Sequence, residues 1–181
     1  IKLPSNLRAS SDVAEVLAGA EQVFLAVPAQ TLRANLTEWG SLIEPNAILV
    51  SLMKGVERDT GLRMSEVIAE STGFAAAQIA VVSGPNLSQE IAAEQPAASV
   101  ASSTSRDTAI AVAEVSSNSY ITCFANNDVI GTEFGGILKN LIAVAIGIVN
   151  GVGYGENTKA SIMTRGLAEI SRFAVAYGAK P

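Results

Sequence analysis

Histidine is absent from the 181 residues, cysteine occurs once, and aromatic residues make up only 5% of the chain. Each shortage closes off a class of chemistry. Without histidine, no serine has the imidazole partner that a hydrolase triad requires, and the lone Cys123 has neither a second cysteine nor a histidine with which to build a zinc site. A single cysteine cannot form an internal disulfide either, so core filling suits it better than nucleophilic work. Cations are scarce: 12 Lys plus Arg against 17 Asp plus Glu give a formal charge of −5. They do not gather into a strip that could follow a phosphate backbone, so nucleic acid is not an expected partner. A small anion stays compatible, because one or two lysines and a helix N-terminus can hold it against an unfavourable net charge. Long apolar runs are missing as well. The longest unbroken one, over 141–149, falls far short of the roughly 20 residues that a bilayer-spanning helix needs. With no span and no signal peptide in the pattern, the expected location is the cytoplasm.

What the chain does have is apolar content, 49% hydrophobic residues with a mean hydropathy of +0.34, ample for a sizeable core. From residue 12 to about 102, short apolar runs alternate with amphipathic segments, a pattern that predicts crossover units and a parallel sheet of the α/β class. Strands are expected at 23–27, 47–51, 79–83, 98–101 and 120–124. Helices are expected at 12–18, 31–43, 62–70 and 106–115, the first opened by Asp12 and Glu15 as a capping pair and stopped by Gly19. In the strand-to-helix turn Ser83-Gly84-Pro85-Asn86-Leu87-Ser88-Gln89-Glu90, Asn86 is placed to cap and Gln89 to reach back to it. After Asn126-Asn127-Asp128 the period becomes helical and stays so, over about 131–151 and 157–177, with Gly178 as a stop. The expected division is a sheet domain over 1–126 and the first helices of an all-α domain over 127–181.

Two lysines stand out. Lys54, in Ser51-Leu52-Met53-Lys54-Gly55-Val56-Glu57, follows a predicted strand and so hangs over the crevice where open α/β sheets collect their ligands. Lys139 stands within an apolar, small-residue helical run, Gly135-Gly136-Ile137-Leu138-Lys139-Asn140-Leu141-Ile142. If buried, its ammonium would be pulled toward the range in which it can take and return protons. If not, it snorkels to a wet helix edge while its stem covers apolar surface. Gly136, Lys139, Asn140, Ala143 and Gly147 recur at spacings of three and four, which puts them on one side of the helix. That side is either a close helix-packing face or the wall of a substrate cavity. By contrast, Gly151-Val152-Gly153-Tyr154-Gly155 is not a dinucleotide fingerprint: Glu156 takes the place of a third glycine, and the segment trails a helix rather than following a strand.

Taken in order, Val23-Phe24-Leu25-Ala26-Val27-Pro28, the Lys54 block, Ser83-Gly84-Pro85-Asn86, the Lys139 block and Asn157-Thr158-Lys159-Ala160 resemble the bacterial type of NAD(P)-dependent glycerol-3-phosphate dehydrogenase. The resemblance covers essentially the whole chain. It implies a Rossmann-like sheet domain followed by an α-helical substrate domain. It implies a reaction as well, in which sn-glycerol 3-phosphate and dihydroxyacetone phosphate are interconverted with NAD or NADP, feeding glycerophospholipid synthesis. By the same resemblance Lys139 is the catalytic proton donor and acceptor. Lys54 touches both cofactor and substrate; Gly84, Asn86, Lys139 and Asn140 contact the substrate, and Ser88 the cofactor. Asn86 and Ser88 are larger than the residues usual at those places in the family. Because the family's Gly-rich cradle and its distal substrate residues do not occur between Ile1 and Pro181, the resemblance also implies that these residues are the middle of a longer enzyme. Two further readings stay open: a reductase of the same layout for another small keto or hydroxy acid, and a non-catalytic piece whose exposed helical surface from Gly131 onward favours a homodimer.

Overall fold

In the computed structural model, which describes residues 5–181, the five apolar runs form strands β1 (Gln22–Leu25), β2 (Ile48–Ser51), β3 (Ile79–Ser83), β4 (Ala97–Ser103) and β5 (Ile121–Asn126). They lie side by side in chain order. Helix α1 (Val13–Leu17) precedes the sheet, and α2 (Leu32–Trp39), α3 (Met64–Thr72), α4 (Ser88–Ala92) and α5 (Arg106–Val115) connect its strands. The long helices α6 (Val129–Val152) and α7 (Glu156–Ala176) come last. The α/β class and the closing helical segment are as expected. The expectation of a wholly parallel sheet needs one correction: β3 and β4 run antiparallel, with Val82 opposite Ala101, while β1–β2, β2–β3 and β4–β5 are parallel. Crossover length is the reason. A parallel return must carry the chain back along the strand it has just left. The five residues of β3 cover about 17 Å and the five of α4 only about 7.5 Å, so the chain turns back instead. The ten-residue α5, about 15 Å long, does return it, and β4 and β5 pair in parallel.

Alternation along the strands divides the core between two faces. On one, Leu49 and Ile79 pack with Leu32 and Leu36 of α2 and with Met64, Val67 and Ile68 of α3. On the other, Val50, Ala80, Val82 and Ala101 pack with Val112 and Ala113 of α5. Cys123 joins this second cluster, and burial pushes its thiol above the usual range. That is the core-filling role expected of it. Leu32, Leu49, Met64, Val67 and Ile68 are fully shielded, and at about 1.5–3 kcal/mol for each such side chain they are the main support of the sheet.

Several local expectations shift. Asp12 caps α1 through the amides of Ala14 and Glu15, but the Glu15 carboxylate accepts the Ser10 hydroxyl at 2.7 Å instead of reaching back. The helix expected over 31–43 is divided, with 3-10 turns at Ala29–Thr31 and Gly40–Leu42 on either side of α2. Asn86 does not cap α4. Leu87 holds the cap position, and the Asn86 carboxamide accepts the Ser99 hydroxyl at 2.8 Å. The glycine-rich stretch after α6 is a helix stop, with Gly153 at φ 84° where only glycine is comfortable.

Helix α6 is long and apolar enough to cross a membrane by length and composition, with a mean hydropathy of 1.6 in its most apolar window. Its first half is nevertheless packed on protein. Glu133 and Phe134 are each 5% exposed, and Phe134 sits in a cluster with Ala174 and Ala179, its ring 5.2 Å from that of Phe173 and 5.0 Å from that of Tyr177. The Thr132 and Ser102 hydroxyls, 2.6 Å apart, tie the same stretch to β4. Further along, Leu141, Val144 and Ile148 are exposed.

Candidate active site

Because β2 and β3 are parallel, their carboxyl ends emerge together, and each delivers one element of the predicted site. Lys54 follows β2 and donates from Nζ to the Gly84 carbonyl, 2.8 Å away, in the turn that follows β3. The loop bearing Lys54 is held at several points. Gln30 donates to the Val56 carbonyl at 2.7 Å and accepts the Arg58 amide at 2.9 Å, while Arg33 forks onto both carboxylate oxygens of Glu57 at 2.8 Å. Val56 and Arg63 close the loop as a β-bridge.

The Arg33 fork and the Thr60 hydroxyl hold the Glu57 carboxyl at about 2, below its ordinary 4.5. A carboxyl lowered in the folded state contributes stability above its unfolded pKa, and that contribution disappears as pH falls through the folded one. Denaturation midpoints should therefore drop on acidification from about 4.5 to about 2, and less steeply in Glu57→Gln. Equal slopes for the two proteins would show that the fork does not steady the loop.

Helix α6 comes close to this corner because Gly136 has no side chain. A Cβ there would lie 2.6 Å from the Ser83 hydroxyl and 3.6 Å from Cγ of Lys54. One turn further on, Lys139 and Asn140 are both exposed, and Lys139 Nζ donates to Asn140 Oδ1 at 3.0 Å. The alternative of a buried Lys139 is thus corrected: its head stands in the open, as a snorkelling lysine does, but over a crevice. That crevice, a cavity of about 530 Å³, is lined by Gly84, Asn126, Gly135, Gly136, Lys139 and Lys180 among others. The Lys54 ammonium is held below the ordinary lysine value first by partial burial and then by the like charge of Lys139. Two cations that sense one another beside a carbonyl-bearing turn form a place for a small dianion.

The predicted residues are not all gathered. Gly84 and Lys139 line the crevice; Lys54 stands behind it, bonded to Gly84 and packed near Gly136, and Asn140 is held to Lys139. Asn86 is drawn toward β4 by Ser99, and Ser88 is exposed at the start of α4; neither lines the cavity. The small-residue side of α6 splits by height. Gly136 packs on Ser83 and the Lys54 stem, whereas at Gly147 an added Cβ would meet nothing within 4 Å. Asn126, Ser83 and Lys180 were not recognised as crevice residues in the sequence. For Asn126 the signal was present, because polar residues directly after a strand mark its ligand-facing end as readily as a domain boundary.

Comparison with known proteins shows what the chain is similar to. Residues 1–109 match the profile described as NAD-dependent glycerol-3-phosphate dehydrogenase N-terminus, and residues 128–181 that of the corresponding C-terminus. A glycerol-3-phosphate dehydrogenase [NAD(P)+] of Leifsonia xyli is 64% identical over the whole chain, which covers 49% of that protein, and one of Frankia casuarinae is 58% identical with 54% covered. The crystal structure of glycerol-3-phosphate dehydrogenase from Coxiella burnetii superposes with a TM-score of 0.88 at 30% identity, over 98% of this chain and 54% of that one. The chain spans about half the length of the curated relatives it matches.

Proposed function

The chain belongs to the NAD-dependent glycerol-3-phosphate dehydrogenase family, and we propose from that premise that the whole protein interconverts dihydroxyacetone phosphate and sn-glycerol 3-phosphate with NAD or NADP. The product supplies the backbone of glycerophospholipids. The division into a sheet domain over 1–126 and a helical domain from 127 belongs to the same reading. The observation that carries it is the meeting of two lysines at the carboxyl ends of β2 and β3: Lys54 is bonded to Gly84, which lines the crevice that Lys139 overhangs, and senses the Lys139 charge.

The crevice suits a flat cofactor ring. Gly135 and Gly136 present no side chains to it, and at Gly135 an added Cβ would meet nothing within 4 Å. When bound, the reduced nicotinamide supplies the hydride. The chain's own residues do the rest. As the ketone carbon is reduced, negative charge collects on its oxygen, and the Lys139 ammonium both stabilises that charge and gives up a proton to form the hydroxyl. Reversed, neutral Lys139 takes the proton back. Asn140, hydrogen-bonded to Lys139 Nζ, aims it. Lys54, anchored on the Gly84 carbonyl, contributes the charge that holds substrate and cofactor. Asn86 as a substrate contact and Ser88 as a cofactor contact belong to the same reading, both lying just beyond Gly84 in the chain.

The direct test is reduction of dihydroxyacetone phosphate by the full-length protein, followed through consumption of NADH or NADPH. Turnover with this ketone and none with its unphosphorylated analogue is expected; absence of turnover with either nucleotide overturns the reading. Lys54 adds a pH signature. It is charged below its pKa, so dianion binding is complete at lower pH and weakens as pH rises through a value below the ordinary lysine range. In Lys54→Ala, KM at neutral pH should rise about tenfold or more, the loss of one charge-assisted bond, and that alkaline weakening should vanish. A parental KM in the variant would remove Lys54 from the site.

A further inference from the structure

Helix α6 carries a second charged residue, six positions before Lys139, to which nothing above gives a chemical role. The carboxylate of Glu133 is 5% exposed, yet it is fully engaged. Its Oε1 accepts the Ser65 amide at 3.0 Å, and its Oε2 accepts the Ser65 hydroxyl at 2.7 Å and Arg63 Nη1 at 2.5 Å. Arg63 is itself fixed from two directions. Its Nη2 donates to Glu66 at 2.7 Å, and its backbone forms the bridge to Val56, two residues beyond Lys54. A single arginine therefore joins the loop that bears Lys54 to the helix that bears Lys139.

Of the other contacts, the Thr132–Ser102 hydrogen bond ties α6 to β4 but not to the loop that bears Lys54. Val56, Ile137 and Leu138 pack against the Phe134 cluster, but apolar contact is not directional and tolerates sliding. Hydrogen bonds to three fixed donors do not. A slip of one residue along α6 would move Lys139 by about 1.5 Å, and a misplacement of about 1 Å at a reacting group can cost 100-fold in rate. A buried ion pair is also a weak stabiliser compared with apolar residues of the same size, and specificity of arrangement is its best-attested use.

We infer that Glu133, through Ser65 and Arg63, sets the register of α6 and with it the position of Lys139 relative to Lys54, so that Glu133 is a positioning residue for the reaction. The inference rests on the proposed role of Lys139. Its test uses three variants of the full-length protein. In Glu133→Leu with Arg63→Met the ion pair is replaced by apolar bulk and no buried charge is left unpaired, so the fold should persist, with a melting temperature lowered only by the two Ser65 donors that lose their acceptor. In that double variant kcat should fall about 10- to 100-fold, a larger factor than any rise in KM, because ground-state contacts tolerate a shift that proton transfer does not. Glu133→Gln keeps an acceptor for the Ser65 amide while its NH2 can donate to the Ser65 hydroxyl, and should recover part of the lost kcat. Glu133→Leu alone, which leaves Arg63 without its buried partner, should lose both stability and kcat. A well-folded double variant with parental kcat overturns the inference, as does a Glu133→Gln variant no better than the double. Lys139→Ala is assayed alongside: parental activity there would reject the role of Lys139 itself, whatever the Glu133 variants do.

Discussion

Replacing Lys139 by alanine in the full-length protein is expected to lower kcat by about 10²- to 10⁴-fold, the range of a lost general acid, without altering the fold. The two halves of that expectation rest on different facts. The catalytic half follows from placement, since Lys139 overhangs the crevice next to Gly135 and Gly136. The stability half follows from exposure. The Lys139 ammonium makes one bond, to its own neighbour Asn140, and alanine is at least as good a helix former. Unfolding free energy should stay within about 0.5 kcal/mol, as for other surface changes. Lys139→Arg sharpens the result. It preserves a positive charge, but a guanidinium does not release its proton at these pH values, so an arginine variant as slow as the alanine variant would assign proton transfer, and a fast one would assign charge alone. Alanine and arginine variants that both turn over at the parental rate would sink the role given to Lys139.

Much of this arrangement could be read from the residues in order. Strand β3 and helix α5 were anticipated to the residue, and the two long helices to within two at each end, because unbroken apolar runs and strong caps such as Asp128 leave little freedom. Strand direction was not legible. Ala97–Ser103 reads as an apolar strand whichever way it runs, and only the shortness of α4 reveals that the chain turns back. The site divided along the same line. Lys54 was placed by its position after a strand, a local signal. The exposure of Lys139 depends on how α6 is rolled against the sheet, which Gly136, Thr132 and Glu133 decide through partners between about 30 and 70 residues away. Asn86 failed for a related reason: its capping ability was local and genuine, but Ser99 from the antiparallel neighbour outcompeted it.

Gly84 concentrates that non-local control in one atom, and Gly84→Ala is expected to damage both stability and substrate binding. Its backbone is not in the left-handed region, so alanine is conformationally allowed, and the objection is purely one of space. The new Cβ would lie 2.7 Å from the Ala98 carbonyl oxygen and 3.0 Å from Cα of Ser99, both backbone atoms. Strand β4 cannot withdraw, since it is paired with β3 on one side and β5 on the other. The turn must move instead, at an overpacking cost of about 1–3 kcal/mol. Moving it displaces the Gly84 carbonyl that anchors Lys54 Nζ, so KM for the phosphorylated substrate should rise along with the loss in melting temperature. Gly147→Ala makes the same chemical change in α6 where nothing lies within 4 Å, and should gain up to about 1 kcal/mol with activity unchanged. If Gly84→Ala melts with the parent and binds substrate as tightly, the carbonyl of Gly84 does not place Lys54, and the lysine must owe its position to the loop ties of Gln30, Arg33 and the Val56–Arg63 bridge.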